Sequence, residues 1–347
     1  MGTRTGSPRT TIVVVPRESY TITPFMLETL LAHTPEPRRV VLVIGGSPRK
    51  VRRRLERLAA EHDITFIHRD AVITPNEARN LAMPHVATPY VSFLDNDTFV
   101  GDRWLEQLEE CADETGASLV ACPVLWGRND EWEIHYAGGT CRIVEDDGVR
   151  RFDEHNPLMH RPVTALDELE RAPTEYVEPH CLLARVDVLR QLGPFDEDLV
   201  VAREHSMLSL QVTAAGGEIW LEPSTVVLYP WPKRNTIADY RLYLPRWSDE
   251  WSERSFRHFN EVMHLGDDEI DDIYRDGHRQ RRLGGRPPRG PSLRARWGRM
   301  RYRARRAVTI VATPVVVRAV ERGRARRAPA RVVHRARWDR EPERAPV

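Results

Sequence analysis

No stretch of this 347-residue chain approaches the roughly 20 consecutive apolar residues that a helix needs to cross a bilayer. The longest apolar candidate, 307–317, is about half that length and is interrupted by Pro314. The first ten residues are polar and lack the apolar core of a secretory leader. Cysteine is scarce: Cys111, Cys122, Cys141 and Cys181 lie far apart and make no metal-ligand spacing. A long chain without a leader is expected to keep such thiols reduced, which places it in the cytoplasm. Lysine is absent from residues 281–347, yet that segment holds 21 arginines against four acidic residues. The tail therefore carries +17, and the remainder −16, behind a net charge of only +1. An acidic folded body with a basic appendage is the expectation.

The body alternates short β-rich runs with amphipathic helical patterns. Strands are expected at 11–15, 39–44, 64–67, 90–94 and 118–122. The second is apolar on both faces, as a strand buried in a parallel sheet should be. Thr23-Pro24 and Ser47-Pro48 each read as an N-cap followed by proline at the first helical position. Thr74 and Glu77 have capping-box spacing. Further helices are expected near 102–115, at 185–191 and at 203–215, with strands at 218–221 and 224–229. A hairpin is expected around Asp147-Gly148, and 155–175 reads as loop. Strand–helix alternation implies a mostly parallel sheet flanked by helices, with its ligand site beyond the carboxyl ends of the strands. Helical segments continue to about 282, and 284–291 (GGRPPRGP) is a linker by composition.

The most informative residues are Asp95-Asn96-Asp97, delivered by a buried strand to that edge. Residues i and i+2 of an extended segment share a face, so both carboxylates can converge on one hard cation. The competing reading is an Asp/Asn turn before the next helix.

Six stretches run in order: a first strand ending in Pro16; Asn76-Glu77-Ala78-Arg79-Asn80-Leu81-Ala82; and Val91-Ser92-Phe93-Leu94-Asp95-Asn96-Asp97. His135-Tyr136-Ala137-Gly138-Gly139, Cys181-Leu182-Leu183-Ala184-Arg185 and Gly193-Pro194-Phe195-Asp196-Glu197 follow. On these stretches, over roughly 11–229, the chain resembles the family 2 glycosyltransferases of the GT-A fold. The resemblance implies a Rossmann-like GT-A domain at 11–235, with a nucleotide-sugar half (11–122) and an acceptor half (123–235). Around it come a disordered 1–10, a helical extension at 236–282 and an Arg-rich tail at 283–347. It implies an inverting enzyme using a nucleoside-diphosphate sugar, with Mn²⁺ or Mg²⁺ held by Asp95 and Asp97, and a glycan or lipid-linked saccharide as acceptor. Donor contacts would come from Pro16, Arg17, Glu18, Gly45, Gly46, Arg79, Asn80, Asp95 and Asn96, with Gly138, Gly139 and His180 on the acceptor side. Arg79 reads equally as a surface helix arginine, and Gly45-Gly46 as a plain tight turn.

Three positions depart from the family pattern. The catalytic base is expected at Glu204-His205, where histidine stands in the usual carboxylate position; a structural helix start is the alternative. No acid ends the second strand, where Ile44-Gly45-Gly46 stands. The metal-ligating histidine after the last sheet strand is missing, and Lys233 and Arg234 nearby could meet the diphosphate instead. His135 and His180 read as structural as readily as catalytic, and Trp126, Trp132, Trp231, Trp247 and Trp251 as core or as sugar-stacking surfaces. A nucleotidyltransferase would want a basic glycine-rich loop after the first strand, and Val15-Pro16-Arg17-Glu18 is not one. A catalytically silent, glycosyltransferase-like binding domain stays open as the alternative. For the tail three readings compete: a helix on an anionic membrane, at the inner face of the plasma membrane; nucleic-acid binding; and a solvated disordered segment.

Overall fold

A computed structural model describes residues 7–128, 131–231, 235–265, 292–326 and 328–339. Its centre is built from β1 (Thr10–Val15), β2 (Arg39–Gly45), β3 (Thr65–Arg69) and β4 (Tyr90–Asp95), all parallel. Helices α1 (Thr23–Ala32), α2 (Arg49–Glu61) and α3 (Pro75–Ala82) connect them. Ile12 to Val15 and Val41 to Ile44 are fully buried, because helices cover both faces of the sheet. After α4 (Trp104–Thr115), Gly116 closes the helix at φ +75°, and β5 (Leu119–Ala121) follows.

Next come β6 (Val124–Arg128), β7 (Glu131–Tyr136), β8 (Thr140–Asp146), β9 (Val149–His155), β10 (Ala172–Thr174) and β11 (Cys181–Arg185). Helices α5 (Val186–Leu192) and α6 (Glu204–Ala214) precede β12 (Ile219–Leu221) and β13 (Val227–Pro230). Among the described residues the main sheet runs β10-β12-β5-β11-β4-β1-β2-β3-β14, with β14 (Arg331–His334) at its far edge. β10, β11 and β14 are antiparallel to their neighbours. β13, β6 and β7 form a small second sheet, and β8–β9 a hairpin.

Most of the first half matches the sequence pattern, including the capping box of Thr74 and Glu77. Two starts differ. Ile22 and Pro48 occupy the N-cap positions of α1 and α2, and neither helix has a side-chain cap. Thr23 lies inside α1, and the Ser47 hydroxyl sits 3.4 Å from His68 Nε2 instead. The hairpin around Asp147-Gly148 is present but longer than expected, pairing from Thr140–His155 to Asp146–Val149. Alternation marks no strand at β6, β7 or β11, and β10 lies in the stretch expected as loop; β11 is sandwiched between β4 and β5, so its run Cys-Leu-Leu-Ala is buried on both faces. At the other end Thr10, expected within a disordered terminus, already belongs to β1.

The tail differs most. Helices α7 (Tyr240–Arg246) and α8 (Asp249–Met263) lie within 236–282, and residues 266–291, with the rest of that segment and the expected linker, lie outside the described residues. The basic segment then folds back as α9 (Leu293–Ala325) and β14 rather than forming a solvated tail. Thr309, Thr313, Val317 and Val320 are buried, at helical spacing, on the face that meets α7. Trp251 Nε1 donates to Glu321 Oε1 at 2.8 Å, and Arg324 Nη1 to Glu77 Oε2 at 2.6 Å. Val332 pairs with Ile67, and Asp339 takes a hydrogen bond from Thr65 at 2.9 Å. Arginine content masked one well-spaced packing face.

Candidate active site

β1 and β4 are neighbours, so the segments leaving their carboxyl ends meet. Asn96 joins them: its N–H donates to Val15 O at 2.8 Å, and its Oδ1 accepts from Arg17 N at 2.8 Å. Its Nδ2 donates to Ser19 O and Thr23 Oγ1, both at 2.7 Å. The middle residue of the acidic motif is thus a clamp that fixes Pro16, Arg17 and Glu18 over the two carboxylates beside it.

Asp95 and Asp97 are fully buried. Arg17 Nε lies 3.2 Å from Asp95 Oδ2, and its Nη1 donates to Glu204 Oε1 at the start of α6. Arg246, from α7, has its Nε 3.6 Å from Glu18 Oε1, which also accepts from Tyr229 Oη at 2.6 Å. Burial pushes the Asp95 carboxyl up to about 7; Arg17 opposes this and the Asp97 charge adds to it. Burial would raise Glu204 as well, but Arg17, Arg246 and His205 hold it well below the usual carboxylate range. Neither oxygen of Asp95 accepts a hydrogen bond among the described residues. Asp95, with neither oxygen so bonded, lies beside the buried Asp97. Two buried carboxylates side by side fit a hard divalent cation, which takes oxygen ligands and retains room for phosphate oxygens.

Glu204 and His205 part company. His205 Nε2 lies 3.5 Å from Glu154 Oε2 on β9, which also accepts from Ser206 Oγ at 2.7 Å and Arg203 Nη1 at 3.3 Å. Burial would lift Glu154, yet His205, Arg203 and Ser206 hold it at about 2. Burial lowers His205, but Glu154 outweighs it and the imidazole is raised. The stability from Glu154 is thus full above the ordinary glutamate range and lost as pH falls towards about 2. That from His205 is full below its ordinary value and lost as pH rises through the raised one. Glu154→Gln is expected to cost about 3 kcal/mol at neutral pH and to flatten both limbs of a urea-unfolding profile across pH. An unchanged profile would remove these three partners as its source.

The other expected site residues divide. Arg79 is buried, not on the surface: its Nη1 donates to Asn76 Oδ1 at 2.7 Å and its guanidinium lies 5.6 Å from the Phe93 ring and 5.7 Å from that of Phe195. Its Nε and Nη2 have no hydrogen-bond partner among the described residues. Asn80 is engaged at both ends, holding Phe195 N at 2.8 Å and Phe195 O at 2.9 Å. Gly45 abuts residues 71–73; a Cβ there would lie 2.5 Å from Ala71 O, and Gly46 turns at φ +70°. Gly138 and Gly139 serve packing too, since a Cβ on Gly139 would stand 2.1 Å from His155 O. His180 lies beside Asp95, whose N–H donates to His180 O at 3.1 Å. Its Nδ1 is 3.0 Å from Glu178, and its ring meets that of His135 at 5.1 Å. His135, Glu178 and His180 form one of two described groups with ligand atoms within 4.8 Å of one another. Lys233 and Arg234 lie outside the described residues.

Sequence reasoning missed Arg246, Glu154 and Glu178. Arg246 carried a signal: a charge set among Leu242, Tyr243, Leu244 and Trp247, which only a buried ionic partner tolerates. Glu154 gave none, lying within a polar hairpin strand.

His135 also packs on Trp126, 5.3 Å between ring centres, and Trp126 stacks on Trp231 at 5.2 Å and 23°. Trp126 and Trp231, with Trp132, His160, Arg128 and Glu131, line a cleft of about 570 Å³.

A mostly parallel sheet flanked by helices, with an acidic pair at its carboxyl edge, defines a Rossmann-like domain of the GT-A class. The chain belongs to glycosyl transferase family 2, whose family model matches residues 11–193. It is 24% identical over 210 residues to the pre-mycofactocin glycosyltransferase of Mycobacterium tuberculosis, covering 60% of this chain and 39% of that one. The chain therefore spans about two fifths of the length of the curated relatives it matches. Its fold is similar to that of GalNAc-T7 solved with UDP, GalNAc and Mn²⁺, with TM-score 0.52 and 14% identity over 79% of this chain and 54% of that one. A mannosyltransferase of Pyrobaculum calidifontis, solved with GDP-Man and Mn²⁺, gives TM-score 0.49 at 15% identity, over 93% and 75% of the two chains.

Proposed function

We propose that this chain transfers a glycosyl group, with inversion, from a nucleoside-diphosphate sugar to a hydroxyl of a glycan or lipid-linked saccharide. The reading rests above all on the meeting of Asp95, Asp97, Arg17 and Glu204 at the sheet's carboxyl edge. A divalent cation, Mn²⁺ or Mg²⁺, on Asp95 and Asp97 would supply Lewis-acid neutralisation of the leaving diphosphate. Arg17, Arg79 and Arg246 add positive charge beside the same carboxylates and suit phosphate oxygens. Glu204 would take the acceptor proton as the acceptor oxygen bonds to the anomeric carbon. The bond from that carbon to the diphosphate oxygen breaks, and its electron pair leaves with the diphosphate. Turning Arg17 from Glu204 to the diphosphate would make Glu204 more basic in the loaded site. His205, paired with Glu154, is assigned to positioning α6. Asn80 and Asn96 are assigned to holding their loops. The stacked Trp126 and Trp231 suit a sugar ring, which makes their cleft the acceptor side of this reading.

The silent-domain alternative draws on Arg17, which already engages both Asp95 and Glu204. Incubating the chain with UDP-, GDP- and dTDP-sugars, with and without Mn²⁺, separates the two. Metal-dependent release of nucleoside diphosphate from one donor supports transfer. Binding of a donor without release, with every acceptor class offered, would favour the silent domain.

A further inference from the structure

Only one face of α9 is occupied by the fold. Its buried residues, Thr309, Thr313, Val317 and Val320, face α7, and no described residue between 293 and 306 is buried. At 3.6 residues per turn, Leu293, Trp297, Met300, Val308, Val311 and Val315 rise on the opposite side, within about 80° of arc and over about 33 Å. Trp297 is 60% exposed, Met300 59% and Val311 72%. Arg296 and Arg303 border this stripe on one side and Arg301 on the other, all exposed. Arg318 and Arg322 continue beyond its end, also exposed. From Leu293 to Ala325 the helix carries ten arginines and one acid, Glu321.

Three occupants could cover such a stripe, and charge chooses between them. A second copy of α9 would bring arginine against arginine, with almost no acid to offset it. A nucleic acid would satisfy the arginines and leave the valines, Met300 and Trp297 in water. An anionic bilayer satisfies both: the stripe enters the headgroup–acyl boundary while the flanking guanidinium groups reach the lipid phosphates. No helix among the described residues is long and apolar enough to cross a membrane, so the helix would lie in the plane of the surface.

We infer that α9 is an in-plane anchor that seats the domain on an anionic lipid surface through Leu293, Trp297, Met300, Val308, Val311 and Val315. The inference is independent of the glycosyl-transfer reading, because the stripe lies outside the active site. The test is sedimentation of the full chain with phosphatidylcholine vesicles, with and without phosphatidylglycerol. The wild type is expected to bind the anionic vesicles, less so as salt rises. Val308→Ser/Val311→Ser/Val315→Ser alters exposed positions, and an unchanged unfolding temperature would show that the fold is spared. Its partitioning should fall at least about tenfold, and that of Arg301→Glu/Arg303→Glu by a similar factor. The inference is overturned if the triple variant binds as well as the wild type, or if the wild type ignores both vesicles. A dimer that the triple variant dissolves, or retention on DNA without vesicle binding, would overturn it equally.

Discussion

Asp97→Ala is expected to lower release of nucleoside diphosphate from the donor on the order of a thousandfold, which is about 4 kcal/mol in the barrier. The reason lies in how the two acids are held. Asp95 already faces Arg17 at 3.2 Å, so its removal would also release that guanidinium from one partner. Asp97 leaves the Arg17–Asp95 contact in place when it is cut back, and it relieves Asp95 of a like charge. The variant should therefore stay folded while losing the second carboxylate of the proposed cation site. Two measurements read this out: donor turnover with Mn²⁺, and the Mn²⁺-dependent rise in unfolding temperature with donor present. Both should vanish together. Turnover within tenfold of the wild type would remove Asp97 from the reaction.

Glu204→Gln should cost transfer about a hundredfold to ten-thousandfold while donor binding survives. Glutamine keeps the shape and can still meet Arg17, but it cannot take a proton. His205→Gln supplies the contrast. It interrupts the contact with Glu154, so its main effect should fall on unfolding temperature, with turnover changed far less. The opposite outcome, a silent His205→Gln enzyme beside an active Glu204→Gln one, would make the histidine the base and Glu204 its support. Measuring kcat and the donor KM separately for both variants decides between them.

The parallel core and the placing of the candidate site at its carboxyl edge were legible because they depend on local patterns. Apolar runs at 39–44 and 90–94 admit only buried strands, and Asp95 must then emerge at the ligand edge. The partners of the acids were not legible. Arg17 and Glu204 are separated by 187 residues, and Arg246 arrives from a helix beyond the matched family segment. Their meeting depends on strand order and on the path of α6 and α7, which periodicity does not encode. The sequence also made Asn80, Gly45 and Gly139 look like ligand contacts. Each also answers a neighbouring backbone: Phe195, Ala71 and His155. Residues that build a site and residues that touch its ligand leave the same trace when only one sequence is read.

The pairing of Ile67 with Val332 has a consequence for the order of events at the ribosome. β3 emerges early, but the strand that covers its outer edge is 265 positions further on, so at roughly 5–20 residues per second that edge waits for about a quarter of a minute to a minute. Throughout that interval a nascent chain offers open N–H and C=O groups to its neighbours on the same message. Fast translation, or a chaperone able to sit on the edge of β3, should therefore raise soluble yield more than any change to the core. A gene cut at the start of the arginine-rich segment would leave that edge open permanently, and the product should aggregate.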